Sequence, residues 1–314
     1  MFSEIKDYGA VFETLVTKTA DYLIQNNIKA QILGISGGID STVVAAICRE
    51  VSDRTGIPLI GRSLPTTNNK TNEVSTADLV GKAFCTDYKV CPIDRFYHQF
   101  MIDIVHKETG SVRFRQNELT GGFTIDLEDC LKFQTPIANG NIQARLRMIY
   151  LYNLASIHKG LVMDTDNLTE NNLGYFTIHG DVGDFNPIGG LWKTEVFKLA
   201  EWIHNIYYNK ARCLEEGHFY QQADEIALKL EAIKESLKLK PTAGLGITDS
   251  DLDEIGAESY DQIDRVLQFF TDETVPVSTV EDIPDEIFDA IIKRHISSRF
   301  KRKQLPIKIT RDEI

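Results

Sequence analysis

The sequence lacks the features that mark secreted, membrane or nucleic-acid-binding proteins. No apolar run approaches the roughly 20 residues of a transmembrane helix, and the N-terminus has no basic-then-apolar signal pattern. Asp and Glu number 46 against 34 Lys and Arg, which disfavours general binding to nucleic acid or anionic membranes. The 5 cysteines include no C-x-x-C pair, which disfavours a disulfide framework, a zinc ribbon or an iron–sulfur site. We therefore expect a cytoplasmic protein with reduced thiols and with neither nucleic acid nor membrane as a partner.

The chain is long and apolar enough to bury a sizeable core, with 314 residues of which 42% are hydrophobic. Short β-rich runs alternate with stretches of helical periodicity, which predicts parallel strands joined by crossover helices. The fold class is therefore α/β, with a doubly wound parallel sheet flanked by helices. The predicted strands are 31–35, 57–64, 87–93 and 160–165, and the predicted helices are 12–24, one from residue 40, 73–85, 94–105 and 142–158.

Two segments interrupt this alternation. Residues 106–140 contain several glycines and little periodicity, so we interpret them as a long loop or lid. Residues 206–239 contain an amphipathic run of acidic and basic residues, which favours a helical insertion on the surface. Since no repeat, low-complexity tract or linker divides the chain, we treat residues 1–314 as a single domain with these two insertions.

The most informative local pattern is ISGGIDST, residues 35–42, between an apolar strand and a helix. Gly37 and Gly38 lack a Cβ atom, so backbone N–H groups can approach an anion closely at the positive end of the next helix. Ser36 and Ser41 add hydroxyl groups. Asp40 would repel a bare phosphate, but it suits a Mg²⁺ ion held between a carboxylate and phosphate oxygens. The pattern thus predicts an ATP-binding loop with magnesium, and it is not the G-x-x-x-x-G-K-[ST] loop.

This loop resembles that of the ATP pyrophosphatases, which cleave ATP between its α and β phosphates. Further blocks follow in order: GNIQARLRMIYLYNLA at 140–155, TDNLTENNLGYFTIHGDVGDFNPIGGLWKTEVFKLAEWI at 165–203, KPTAGL at 240–245, DEIGAESYDQID at 253–264 and KRKQLP at 301–306. Together with the loop, they are similar to the ammonia-using NAD synthetases. The resemblance covers most of the chain apart from the two insertions.

The resemblance implies a ligase that converts deamido-NAD to NAD in two steps. The nicotinate carboxylate attacks the α-phosphorus of ATP, which gives an adenylate and pyrophosphate. Ammonia then attacks the acyl carbon and AMP leaves. The enzyme contributes mainly charge neutralisation and alignment.

The same resemblance implies roles for individual residues. Asp40 and Glu170 would hold magnesium, while Asp166 would position ammonia or a second magnesium ion. Lys193 would follow the charge on the leaving pyrophosphate, so the implied catalytic set is Asp40, Asp166 and Lys193. ATP would be bound by Ser36, Gly37, Gly38, Asp40, Ser41, Thr165, Lys193 and Thr242, and deamido-NAD by Asn141, Arg145, Asp181, Asp184 and Lys301.

Several positions depart from the family pattern. The basic clamp near the C-terminus has Phe300 where a histidine is expected, and Ile178 replaces a lysine of a TKYGD-type segment. Asp164 stands where the family usually has glycine. An arginine expected two residues before a strand-ending proline is replaced by Ser63, and Arg62 next to it faces the other side of a strand. These departures concern dinucleotide recognition and leave the ATP loop intact.

Two alternatives therefore stay open: a relative that amidates another carboxylate, such as nicotinate mononucleotide, and an ATP-binding relative without catalysis. The chain has no segment resembling a glutaminase, so we expect ammonia to come from solution or from another protein. The resemblance also implies a homodimer.

Overall fold

The computed structural model describes residues 5–67, 69–101, 103, 114–116, 123–125, 136–217, 220–241 and 251–303. The helices are α1 Tyr8–Gln25, α2 Ile39–Thr55, α3 Thr71–Phe84, α4 Asp94–Phe100, α5 Pro136–His158, α6 Leu168–Leu173, α7 Lys193–Glu216, α8 Tyr220–Lys238, α9 Asp251–Ile255, α10 Tyr260–Thr271 and α11 Asp285–Ser297, with short 3₁₀ turns at Val277–Thr279 and Arg299–Arg302. The strands are β1 Gln31–Gly34, β2 Leu59–Ser63, β3 Asp87–Val90, β4 Phe114–Gln116, β5 Phe123–Ile125 and β6 Leu161–Met163. Among these helices, none combines the length and the apolar character that crossing a bilayer requires.

Four parallel strands form the central sheet, in the order β3-β2-β1-β6. Gln31 of β1 pairs with Leu59 of β2 on one side and with Leu161 of β6 on the other. The predicted parallel sheet is therefore confirmed, and each predicted strand is present in a shortened form. Because the strands are parallel, the loops after β1 and β6 leave the sheet at the same edge, where ligands bind in such folds.

Helices cover both faces of the sheet, as a doubly wound fold requires. Along β1, Leu33 faces a large core that includes α2 and α7, whereas Ile32 faces a smaller core built on α5. Both side chains are fully buried, because successive residues of a strand point to opposite faces. This double burial explains why the strands read as continuous apolar runs.

The two predicted insertions differ in outcome. The run at 206–239 is helical over nearly all of its length, since α7 continues to Glu216 and α8 follows at Tyr220. Helix α8 packs against α7 and α3 and buries residues such as Ile233, so it is a surface helix with one buried face. In 106–140, strands β4 and β5 pair antiparallel and α5 begins at Pro136. These described residues therefore form strands and a helix start, the remainder of the segment lies outside the described residues, and its interpretation as a loop or lid stays a prediction.

Candidate active site

The turn after β1 depends on glycine at position 37. Gly37 has φ +85°, and an added Cβ would lie 2.7 Å from the backbone N of Ala77 and from the backbone O of Glu73. Both obstacles are backbone atoms, so they cannot move aside as a side chain can. Only glycine combines this dihedral angle with this close approach. Helix α2 then begins at Ile39 with its free N–H groups at the turn.

Hydroxyl groups hold the turn against α2. The Ser41 hydroxyl lies 3.0 Å from the Gly38 carbonyl oxygen and 3.0 Å from Ser36 Oγ. The Thr42 hydroxyl lies 2.9 Å from the same carbonyl and 2.7 Å from Ser236 Oγ on α8. Ser41 and Thr42 are buried while Ser36 is exposed. The two inner hydroxyls therefore brace the loop, and Ser36 carries the one exposed hydroxyl of the three.

Lys193 joins the loop to the segment after β6. Its Nζ donates to Asp40 Oδ2 at 2.5 Å and to Glu170 Oε1 at 3.0 Å. The lysine is fully buried, whereas the side chains of Asp40 and Glu170 keep 16% and 17% of their surface exposed. Three residues predicted separately thus form one cluster at the carboxyl edge of the sheet.

Asn167 connects the two acids and was not among the predicted site residues. Its Nδ2 donates to Asp40 Oδ1 at 2.8 Å, and its Oδ1 accepts from the Glu170 backbone N at 3.0 Å. Glu170 Oε2 in turn accepts from the Asn167 backbone N at 3.1 Å. Asn167 is therefore the N-cap of α6, and the N-x-x-E capping pattern in the sequence was a signal that could have placed it.

The electrostatics of this cluster follow from burial and from the opposed charges. Burial and the neighbouring Asp40 raise the pKa of Glu170 to about 7, although Lys193 opposes that shift. Burial alone would lower the pKa of Lys193, but the carboxylates of Asp40 and Glu170 outweigh it and raise that pKa well above its ordinary value. Lys193 is therefore a permanent cation at neutral pH.

The donor set of Asp40 and Glu170 fits Mg²⁺. Each of their four oxygens accepts one protein hydrogen bond, so each retains a free lone pair. The ammonium of Lys193 bonds to only one oxygen of each carboxylate. Among the described residues, no three His, Cys, Asp or Glu side chains are grouped to hold a metal alone. Mg²⁺ is commonly held by one or two carboxylates with substrate phosphates and water as further ligands.

Asp166 lies beside this cluster after β6. Its backbone N donates to Asp164 Oδ1 at 2.8 Å and its backbone O accepts from Asn186 Nδ2 at 2.7 Å. Burial, together with Asp164, Glu170 and other nearby carboxylates, raises the pKa of Asp166 well above its ordinary value. Its own carboxyl forms no hydrogen bond within the described part of the chain, so the group is free to meet a ligand. Thr165, half-buried, precedes it.

Four predicted dinucleotide residues converge on residues 174–181. Arg145 donates to the Ile178 carbonyl oxygen at 3.2 Å, and Lys301 Nζ donates to the carbonyl oxygens of Gly174 and Phe176, both at 2.6 Å. Two further bonds complete the set: Asp181 Oδ1 accepts from the Thr177 backbone N at 2.7 Å, and Asn141 Oδ1 accepts from the Thr177 hydroxyl at 2.7 Å. These polar groups are bonded to the protein's own backbone and to Thr177.

Other positions lie elsewhere. Asp184 accepts from the Val162 backbone N at 2.9 Å and from the Tyr152 hydroxyl at 3.2 Å, on the edge strand β6. Arg62 pairs with Asp87 of β3 at 2.9 Å, as its strand position suggested. Phe300 is half exposed. Thr242 lies outside the described residues.

The matching family model, NAD synthase, covers residues 11–305 of this sequence. The chain belongs to the NAD synthase family. Of the curated relatives, an NH(3)-dependent NAD(+) synthetase from Methanocaldococcus jannaschii is 28% identical over 91% of this chain and 94% of its own length. A glutamine-dependent NAD(+) synthetase from Aquifex aeolicus is 25% identical, and this chain spans 45% of that longer protein. The predicted membership of this family and the predicted ligase class are confirmed.

Solved structures of this family share the fold. An NMN synthetase from Francisella tularensis superposes with a TM-score of 0.68 at 25% identity, covering 98% of this chain and 99% of that one. An NH3-dependent NAD synthetase from Campylobacter jejuni superposes with a TM-score of 0.65 at 23% identity, covering 96% of this chain and 100% of that one. These superpositions also confirm the predicted α/β fold.

Proposed function

We propose that this protein amidates deamido-NAD to NAD with ammonia, at the expense of ATP, releasing AMP and pyrophosphate. The observation that carries the proposal is the buried Asp40–Lys193–Glu170 cluster at the mouth of the phosphate loop. This cluster brings one cation and two carboxylates together beside the loop, and this arrangement supports the binding of Mg²⁺ and of the pyrophosphate of ATP. The name of the M. jannaschii relative supports the same product and nitrogen source.

In the first step, the ATP half of the site would align the nucleotide. The backbone N–H groups of Gly37 and Gly38, the start of α2 and the hydroxyl of Ser36 would bind phosphate oxygens. The buried Ser41, predicted as a further ATP ligand, would act by holding Ser36 and the Gly38 carbonyl in place. A nicotinate carboxylate oxygen bonds to the α-phosphorus, and the bond from that phosphorus to the bridging oxygen breaks. Lys193 would stabilise the negative charge on the departing pyrophosphate. Asp40 and Glu170 would hold Mg²⁺, which supplies further neutralisation of phosphate charge.

In the second step, ammonia attacks the acyl carbon of the adenylate, AMP departs with the bonding electron pair, and the nitrogen loses a proton. Asp166 is assigned the role of positioning ammonia, because its carboxyl has no other bonding partner among the described residues. Thr165 would bind ATP beside it, and Thr242 is assigned a phosphate contact by its family match.

The proposed dinucleotide-recognition half of the site, called the recognition half below, consists of residues 174–181 and the side chains that bond to them. Asn141, Arg145, Asp181 and Lys301 already hold this segment in place. Their proposed role is therefore to shape the surface that receives the dinucleotide, with Arg145, which is exposed, as the direct contact. Both oxygens of Asp184 accept bonds from β6 and α5, so its proposed role is to hold these two elements together beside the dinucleotide surface.

A second candidate is the amidation of nicotinate mononucleotide, which the likeness to the Francisella NMN synthetase favours. Purified protein with ATP, Mg²⁺ and ammonia would be assayed for pyrophosphate and amide with deamido-NAD and with nicotinate mononucleotide. We expect turnover with the dinucleotide to exceed that with the mononucleotide. The reverse preference supports the second candidate, and no pyrophosphate with either acid rejects both and favours an ATP-binding protein without catalysis.

We also propose a homodimer and a cytoplasmic location, where ATP is available. One side of α5 exposes Ile149, Tyr152 and Ile157, an apolar surface that pairing with a second copy would cover. The four cysteines in the described ranges are free thiols, in keeping with a reducing compartment. Sedimentation of the protein and of Ile149→Asp tests the dimer; a wild-type monomer rejects it.

A further inference from the structure

A buried acid outside the proposed site has no role in the reaction described so far. Asp264 lies on α10 on the same face as Tyr260, Ile263 and Leu267, and only 1% of its surface is exposed. No basic side chain in the described ranges forms an ion pair with it. A carboxylate buried in this way is costly unless hydrogen bonds satisfy it, so its partners indicate what it does.

Asp264 binds two neutral donors that belong to two different helices. Its Oδ1 accepts from the Thr169 hydroxyl at 2.5 Å, and its Oδ2 accepts from the Thr194 backbone N at 2.9 Å. Thr169 Oγ1 accepts in turn from the Lys193 backbone N at 2.8 Å. An ionised carboxylate can only accept, so the single hydroxyl proton of Thr169 must point towards Asp264. That leaves a lone pair of Thr169 for the Lys193 N–H.

These bonds occupy the first turns of two helices that carry the proposed catalytic groups. Thr169 precedes Glu170 on α6, while Lys193 and Thr194 begin α7. The N-cap residue of α7 is Trp192, whose side chain makes no cap bond to the helix. Two of the free N–H groups of that helix are therefore satisfied from outside by Thr169 and Asp264. The aromatic ring of Tyr260, also on α10, lies 5.5 Å from Lys193 Nζ.

We propose that Asp264 is a positioning residue that, through Thr169 and the first turn of α7, fixes Lys193 between Asp40 and Glu170. This inference rests on the proposed function, in which Lys193 acts on the pyrophosphate. A purely structural acid would stabilise the fold in the same way whether or not Lys193 is present. An acid that positions Lys193 would lose its effect on the reaction when that lysine is removed.

The first experiment compares variants that keep shape and change bonding. Asp264→Asn places an amide nitrogen against one of the two donors, and Thr169→Val removes the hydroxyl, whereas Thr169→Ser retains it. We expect kcat to fall about 10- to 100-fold in Asp264→Asn and Thr169→Val, with the KM for deamido-NAD within about twofold of wild type. Thr169→Ser should stay within about threefold. Asp261→Asn, an exposed position on the same helix, is the matched control and should be unchanged.

The second experiment is a double-mutant cycle with Lys193→Met. In that background we expect Asp264→Asn and Thr169→Val to cause no further loss of the residual rate. A further loss equal to that seen in the wild-type background overturns the proposal, as does equal activity of Thr169→Val and Thr169→Ser. If Asp264→Asn does not fold, the two Thr169 variants decide the question.

A third measurement separates this inference from the proposed function. Binding of ATP with Mg²⁺ is measured by calorimetry without any acid substrate. We expect about tenfold weaker binding in Thr169→Val than in Thr169→Ser. If wild type binds ATP but releases no pyrophosphate with deamido-NAD, the proposed function fails while this comparison still tests the positioning role. Equal affinity of the two Thr169 variants contradicts the positioning role.

Discussion

The two halves of the candidate site are built in opposite ways. In the ATP half, the functional side chains bond to one another: Lys193 joins Asp40 to Glu170, and Asn167 bridges the same two acids. In the recognition half, Lys301 and Arg145 bond to backbone carbonyl groups of the 174–181 segment. The first half is thus a fixed charge cluster, and the second is a shaped segment of chain.

We therefore expect the two halves to differ in how well they tolerate amino-acid substitutions. A fixed cluster of buried charges loses function when one member changes, since the remaining charges are left unbalanced. A segment held by several bonds to its backbone tolerates the loss of one bond more easily. The recognition half is also where the sequence departs from the expected family pattern, at Ile178 within this segment and at Phe300 beside Lys301, while the ATP loop retains its pattern.

The largest expected effect comes from Asp40→Asn, which removes one of the two carboxylate charges that pair with Lys193. We expect pyrophosphate release to fall about 10²- to 10³-fold, while the protein still folds because Glu170 remains paired with the lysine. Activity assays and thermal melts of this variant measure both effects. Asp53→Asn, at the exposed other end of α2, is the control. Near-normal release of pyrophosphate by Asp40→Asn would show that the ATP half is not a fixed cluster.

The next effect concerns Asp264, the buried acid that bonds to Thr169 and to the first turn of α7. Burial raises the pKa of Asp264 to about 6, above the value of about 3.9 expected in an unfolded chain. The folded protein therefore holds this proton more tightly, which favours folding at low pH, and the benefit is lost as the pH rises through 6. Relative to Asp264→Asn, the free energy of unfolding of wild type should fall by about 2 kcal/mol between pH 4 and pH 7.

Urea unfolding of the two proteins across this pH range provides the measurement. Taking the difference between them cancels the titration of the other acids. A difference that does not change with pH would mean that Asp264 is not buried as an acid, and the view of the ATP half as a fixed cluster held by buried charges would then lose support.

A smaller effect is expected from Lys301→Met in the recognition half. The change removes charged hydrogen bonds to Gly174 and Phe176, so the free energy of unfolding should fall by about 1–2 kcal/mol. The KM for deamido-NAD should rise with kcat nearly unchanged, because the segment loosens but the ATP half stays intact. Steady-state kinetics distinguish the two constants, with the exposed Lys303→Met as control. A loss in kcat as large as that of Asp40→Asn would remove the distinction between the halves.

The smallest effect is expected from Asp184→Asn. An asparagine oxygen can still accept from Val162, and its amide can donate to the Tyr152 hydroxyl oxygen, so the loss of stability should be under about 1 kcal/mol. The KM for deamido-NAD should not change measurably. A tenfold rise in that KM would restore the substrate role that the family resemblance assigned to Asp184.

The sequence predicted much of the fold and of the ATP half because both depend on local patterns. The Gly37–Gly38 turn follows an apolar strand and precedes a helix, and each of these features is visible within a few residues. What could not be predicted are contacts between distant segments. In the sequence, Asp264 cannot be distinguished from an acid on the surface of a helix. Only the structure shows that it is buried on the same helix face as Ile263 and Leu267. Lys301 is predicted from the sequence as a dinucleotide ligand because the sequence shows its residue type but not its bonds to the Gly174 and Phe176 carbonyl groups.

The contact between Thr42 and Ser236 has a consequence for synthesis of the chain. These residues are 194 positions apart, and Asp40 and Lys193 are 153 apart. At a typical 5–20 residues per second, a ribosome releases Ser236 roughly 10 to 40 seconds after Thr42. During most of that interval the nascent phosphate loop has neither its brace nor its lysine, because Lys193 precedes Ser236 by only 43 residues. The loop reaches its final form only after the ribosome has delivered α7 and α8, so nascent chains that stop before them should not retain ATP.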